Sequence, residues 1–116
     1  MLTDLQRIEH MIEAAELLLR FTSNLTVTEY LASAEKQYAV KFAFIMLGED
    51  AATVSEELKL KYSDIPWGEI KGMRNIVAHN YIKTDEMLIW EAVSRKIEPL
   101  RQRLLQIKEE LQKSEE

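Results

Sequence analysis

Leu5, Ile8, Ile12, Ala15 and Leu19 recur at three- and four-residue intervals behind Thr3, and that apolar stripe predicts a helix beginning just after Thr3. Thr3 and Gln6 have the spacing of a capping box, and Asp4 sits in the first turn, where the helix dipole favours an acid. The helix is expected to stop in Phe21-Thr22-Ser23-Asn24, with Asp4 and Arg7 pairing on its surface. Thr26 and Glu29 repeat the cap spacing, with Thr28 as a competing start. Tyr30, Leu31, Ala34, Tyr38, Val40, Phe42, Phe44 and Leu47 then predict one long, largely buried helix running through Ala51-Ala52 toward Leu58, with a break near Thr53. Gly48 lies inside it; that costs about 1 kcal/mol on a surface helix but in a bundle allows close backbone approach.

The stretch KYSDIPWGEIKG is the clear punctuation. Pro66 suits a helix start, Ile65 before it is pushed toward extended backbone, and Asp64 is expected to help cap. A third major helix is predicted from Trp67 to Ala78, with Asn80 as its C-cap. Thr84 is expected to cap a last helix, whose stripe runs from Leu88 to Leu111, with Pro99 bending it and the charged tail fraying. No segment alternates as a strand does. The expected fold is all-α, an antiparallel bundle of four helices, or five if the region after Asn24 is broken. Such long stripes on a short chain also call for a partner surface, so a homo-oligomer is expected.

The 116 residues supply one domain, residues 1–116, with one modest core. Net charge is −5, and the acidic excess lies in the first sixty residues, which hold five Lys or Arg against ten Asp or Glu. A general nucleic-acid coat would be basic, so any phosphate contact is expected to be local. There is no cysteine, which removes disulfides and thiolate metal sites. No secretory leader and no apolar run of bilayer length is visible, so a cytoplasmic location without membrane partners is the expectation.

Candidate chemistry concentrates in the run GMRNIVAHNY. Imidazole exchanges protons near neutral pH, a guanidinium grips phosphate, and a phenol donates a hydrogen bond or stacks on a base. Arg74, His79 and Tyr81 therefore form a candidate site, with Asn75 one turn before His79 on its face. On an ideal helix Arg74 and Tyr81 share a face, whereas His79 is rotated from Arg74 by roughly 140°. An unwound helix end at Asn80, or two such ends brought together in a dimer, would unite them. Glu49 is expected either to lie exposed on a face away from the core or to orient Arg74 or Lys41 across the bundle. His10 is expected to be solvated among Glu9 and Glu13, and Trp67 and Trp90 to be core or interface anchors. No metal-binding motif or phosphate-cradling glycine loop is present, so neither metal nor cofactor is expected. From the residues alone, three roles remain open: catalysis on RNA, non-catalytic binding of a nucleotide or protein, and a purely structural dimer network.

The segment DIPWGEIKGMRNIVAHNY, from Asp64 to Tyr81, resembles the hallmark of the HepT-like family within the HEPN superfamily. Asp4, Arg7, Ile8, His10, Phe21-Thr22, Ala39-Val40, Gly48-Glu49 and Trp90 extend the resemblance over nearly the whole chain. It implies an all-helical homodimer that acts as the toxin of a toxin–antitoxin pair. It further implies a metal-independent endoribonuclease in which Arg74 and His79 are catalytic and Asn75 and Tyr81 support them. The implied antitoxin is a nucleotidyltransferase of the MntA type that attaches adenylate to Tyr81. Lys41, Phe42, Asp50 and Thr53 depart from the residues common in relatives, which puts a supporting role for that helix in question.

Overall fold

A computed structural model describes residues 1–79 and 84–114, and among these the chain forms six helices and no strand. The two capping boxes form as predicted. Thr3 Oγ1 accepts from the Gln6 amide at 3.1 Å while Gln6 Oε1 accepts from the Thr3 amide at 2.9 Å, starting α1 (Asp4–Thr22). Thr26 and Glu29 repeat this geometry, but the helix they start, α2, covers only Val27–Leu31. Between α1 and α2, Asn24 takes the left-handed conformation that its short polar side chain tolerates.

The predicted long helix is therefore split. Gln37 Nε2 donates to the carbonyls of Tyr30 and Leu31, occupying acceptors at the end of α2, and Ser33 Oγ accepts from the Lys36 amide to start α3 (Ala34–Thr53). The break near Thr53 does occur. Val54 is extended and Ser55 caps a short α4 (Glu56–Lys61). Helix α5 spans Trp67–His79 and α6 spans Glu86–Ser114 with Pro99 inside it. Among the described residues the count is thus six: the four principal helices expected, with short α2 from the break allowed for after Asn24 and short α4 from the break expected near Thr53.

Three local expectations are corrected. Asp4 does not pair with Arg7; its carboxylate accepts from the amide and hydroxyl of Ser55 at 2.9 and 2.6 Å, tying α1 to the start of α4, while Arg7 reaches Asp50 at 3.3 Å. The uncommitted amides of a helix start are strong hydrogen-bond donors, which favours the longer-range contact. Asp64 binds Arg103 with both oxygens, at 2.7 and 3.3 Å. Asp85, not Thr84, takes the first amides of α6, accepting from Met87 and Leu88. The tail expected to fray is instead helical through Ser114, and only residues 115–116 of it, like the expected C-cap at Asn80, lie outside the described residues.

Helix α1 packs against α3 and α6, and α5 packs against α3. Ile8, Met11, Leu18, Val40, Leu47, Leu104 and Ile107 are almost wholly buried among them. Trp67 is buried and donates its indole N–H to the Tyr62 carbonyl at 3.0 Å, while Trp90 is half-buried against Tyr30 with ring centroids 5.2 Å apart. Both tryptophans are anchors of the fold.

Candidate active site

The contact between α3 and α5 is unusually close at Gly48. A Cβ placed there would lie 2.1 Å from Arg74 Cβ and 2.6 Å from Arg74 Cγ, so only glycine lets the two helices meet at this point. The stem of Arg74 fills the space that a side chain at 48 would need. This is the close approach expected of a glycine inside a bundled helix.

With its stem seated on Gly48, Arg74 is mostly buried, its side chain 16% exposed. Its Nη1 donates to Glu49 Oε1 at 2.6 Å, and its Nε donates to Asn75 Oδ1 at 2.8 Å. Glu49 is the next residue after the glycine, so the residue that creates the seat is followed by the one that holds the guanidinium. Nη2 of Arg74 makes no hydrogen bond among the described residues. The guanidinium is oriented on two of its nitrogens.

Helix α5 stays α-helical through His79. The rotation of roughly 140° between Arg74 and His79 therefore persists within one chain. Arg74 turns toward α3, whereas the imidazole of His79 is exposed. The helix does not unwind between them, and Asn80, where an unwound end was expected, lies outside the described residues. Asn75 connects the two sides: it lies one turn before His79 and its amide oxygen holds Arg74. Tyr81 falls outside the described residues.

Lys41 does not engage Glu49. It is the buried charged residue among those described, 4% exposed, and its ammonium pairs with Glu86. Glu86 also accepts from the Tyr30 hydroxyl at 2.6 Å and from the Thr84 hydroxyl at 3.0 Å. The sequence alone does not single out Glu86. The available signal was Lys41 itself, since a lysine set inside an apolar stripe requires a counter-charge.

A second cluster lies along α1 and α3. Asp50 accepts from Arg7, and His10 Nδ1 is 3.7 Å away. Burial raises the carboxyl pKa of Asp50, against the opposing pull of His10 and Arg7. His10, about half exposed, is therefore not simply a solvated side chain among glutamates. A shallow depression of about 430 Å³ runs beside this cluster past Phe42, Ile45, Met46 and Glu49. Among the described residues no three His, Cys, Asp or Glu side chains gather as a metal site. No described helix is long and apolar enough to cross a membrane.

The sequence profile of a family described as "Ribonuclease HepT-like" matches residues 11–107. A Methanocaldococcus jannaschii protein named "gamma-glutamylcyclotransferase and putative RNase" is 34% identical over 107 residues, which cover 92% of this chain and 48% of that protein. A Thermococcus cleftensis protein named "probable ribonuclease HepT" is 30% identical over 94 residues, covering 81% of this chain and 86% of that one. The chain thus spans about half the length of the first relative and most of the second. No solved structure matches it.

Proposed function

We infer that this chain, which belongs to the ribonuclease HepT-like family, cleaves RNA without a metal ion at a site built around Arg74 and His79. The observation that carries the reading is the guanidinium of Arg74, mostly buried and fixed by Glu49 and Asn75. A preset, partly desolvated guanidinium suits the charge that builds on a phosphate during transfer.

His79 acts as general base on the ribose 2'-hydroxyl, whose oxygen attacks the adjacent phosphorus. The P–O5' bond breaks, the 5'-oxygen leaves and takes up a proton, and the products are a 2',3'-cyclic phosphate and a free 5'-hydroxyl. Arg74 stabilises the added negative charge as the phosphorus is attacked. Asn75 holds Arg74 to this task. Tyr81 contacts the substrate and receives adenylate from a nucleotidyltransferase antitoxin of the MntA type. The adenylate adds negative charge beside Arg74 and shuts RNA out of the site, so the chain is the toxin of a toxin–antitoxin pair.

Since one copy of α5 turns Arg74 and His79 apart, the working site is assembled from two copies of the chain. An apolar stripe on α3 supports this. Tyr38 and Phe42 are more than half exposed, Ile45 and Met46 continue the row, and it ends at Glu49, which holds Arg74. Ile76 on α5 is exposed as well. Large apolar side chains in such a row favour burial against a second surface.

The test incubates the protein, unmodified at Tyr81, with RNA in excess chelator. Cleavage leaving 2',3'-cyclic phosphate ends, lost in Arg74→Ala and His79→Ala at unchanged helicity, is expected. No product from the wild type, or equal cleavage by the His79 variant, rejects the mechanism and leaves a binding or structural role. Sedimentation of wild type and Phe42→Glu tests the dimer; a monomeric wild type at working concentration rejects it.

A further inference from the structure

Arg7 and His10 stand one turn apart on α1, and both reach Asp50 on α3. Arg7 Nη1 donates to Asp50 Oδ1 at 3.3 Å, and His10 Nδ1 lies 3.7 Å from the same oxygen. The Asp50 side chain is 13% exposed and that of His10 46%, so a mostly buried carboxylate backs a half-open imidazole. Arg7 by itself answers the charge of Asp50, and a partly exposed ion pair adds little to stability. Holding α1 to α3 therefore does not account for the histidine. A carboxylate against Nδ1 fixes the way an imidazole is turned and leaves Nε2 to give or take a proton.

His10 shares its depression with Glu49, whose carboxylate holds Nη1 of Arg74. Phe42, Ile45 and Met46, from the apolar row assigned to the contact between copies, line the same depression. His10 thus borders both the guanidinium site and the surface where a second copy enters. The acids around it are largely matched: Asp50 by Arg7, Glu49 by Arg74, and Glu9 by Lys108 of α6 at 3.6 Å, while Glu13 is exposed. A phosphate drawn to Arg74 does not meet a wall of unpaired carboxylates.

We propose that His10 is the general acid of RNA cleavage, giving a proton to the departing 5'-oxygen of a phosphate held by Arg74 of the same chain, with Asp50 as the positioning residue behind it. The proposal rests on the nuclease reading, in which the donor of that proton is unassigned. Attacking and leaving oxygens of a phosphoryl transfer lie roughly in line, so base and acid work from opposite sides of the phosphorus. His79, brought by the second copy, takes the proton of the 2'-hydroxyl. The P–O5' bond breaks as Nε2 of His10 passes its proton to the 5'-oxygen. Each cleavage leaves His79 charged and His10 neutral, and proton exchange with water restores both.

The experiment uses RNA in which sulfur replaces the bridging 5'-oxygen at a linkage the wild type cuts, because a thiolate leaves without being protonated. On ordinary RNA, kcat should fall about a hundredfold in His10→Ala and His10→Gln. On the sulfur-substituted RNA both should cleave nearly as fast as wild type, whereas His79→Ala stays slow on both substrates. Asp50→Asn should show a smaller loss, likewise recovered with sulfur. His10→Gln keeps an N–H for Asp50 and decides the matter if the alanine variant does not fold. Wild-type rates for His10→Gln on ordinary RNA, or an equal loss on the two substrates, overturn the proposal and leave the nuclease reading standing. A wild type that cleaves neither substrate rejects that reading, and this proposal with it.

Discussion

Gly48 and Arg74 occupy one space: a methyl group on the glycine would fall 2.1 Å from Arg74 Cβ, an atom that cannot swing away by rotation about the side chain. Gly48→Ala should therefore push α5 off α3. Overpacking of this kind costs about 1–3 kcal/mol, against a gain of about 1 kcal/mol from placing alanine within a helix. A net loss of stability is expected in urea unfolding, with RNA cleavage falling further than stability does because the guanidinium is displaced. A variant as stable and as active as wild type would contradict the geometry.

Glu49 should matter by its shape more than its charge. The carboxylate is well exposed, yet it fixes Nη1 of a guanidinium that is mostly buried. Glu49→Gln keeps an oxygen acceptor and should cleave RNA nearly as well as wild type. Glu49→Ala frees the guanidinium to rotate and should lower kcat by about tenfold. Single-turnover cleavage at saturating RNA separates the two variants.

These two positions show what could be read from the residues and what could not. The capping boxes at Thr3 and Thr26, the glycine within an apolar helix and the family-like run around Arg74 are local patterns, and local patterns survive in a one-dimensional string. A break after Asn24 could be allowed for, but its place at Ser33 was not legible, because the apolar stripe continues across it and the interruption depends on Gln37 folding back onto the end of α2. Nor was the choice of partners for the charged side chains. Asp4, Asp64 and Lys41 each bind a residue at least thirty-nine positions away, and such pairings are set by how helices pack. The rotation of His79 away from Arg74 follows from helical period alone, and α5 keeps it.

Tyr62 should resist ionisation. It is buried and its hydroxyl donates to Glu110 at 2.5 Å; burial first, then the glutamate, raise its pKa to about 12, against a partial offset from Arg103 stacked over its ring. A folded-state pKa above the unfolded one gives stability that is complete below pH ~10 and is lost as pH rises through the folded value. The difference between wild-type and Tyr62→Phe absorbance titrations should show phenolate forming near pH 12 rather than 10, and the stability gap between them should narrow over the same range. A difference curve centred near 10 would contradict this.

Asp64 gives the opposite dependence. The Arg103 guanidinium beside it holds its carboxyl below the usual range. Its contribution is therefore present above the unfolded carboxyl value, about 3.9, and is lost as pH falls through the folded one. Both partners are well hydrated, so Asp64→Asn should cost less than about 1 kcal/mol at neutral pH. The gap from wild type should close in acid, as read by thermal unfolding at stepped pH. A constant gap would mean that the pair contributes nothing through its charge.

Helix α5 meets its two neighbours on very different terms. Toward α3 it is seated on a glycine with no room to spare. Toward α6 it faces an apolar cleft of about 440 Å³, lined by Ile70, Met73, Ala92 and Leu100, with the ion pairs Lys96–Glu69 and Asp64–Arg103 at its edge. The molecule therefore has one side where mutation is punished and another where it is forgiven. A larger side chain in the cleft, as in Ala92→Leu, has space to enter and should change stability by no more than about 1 kcal/mol in either direction. As substitutions accumulate in such a protein, drift should gather on the α6 side of α5, while the glycine seat under the guanidinium stays closed to every other residue.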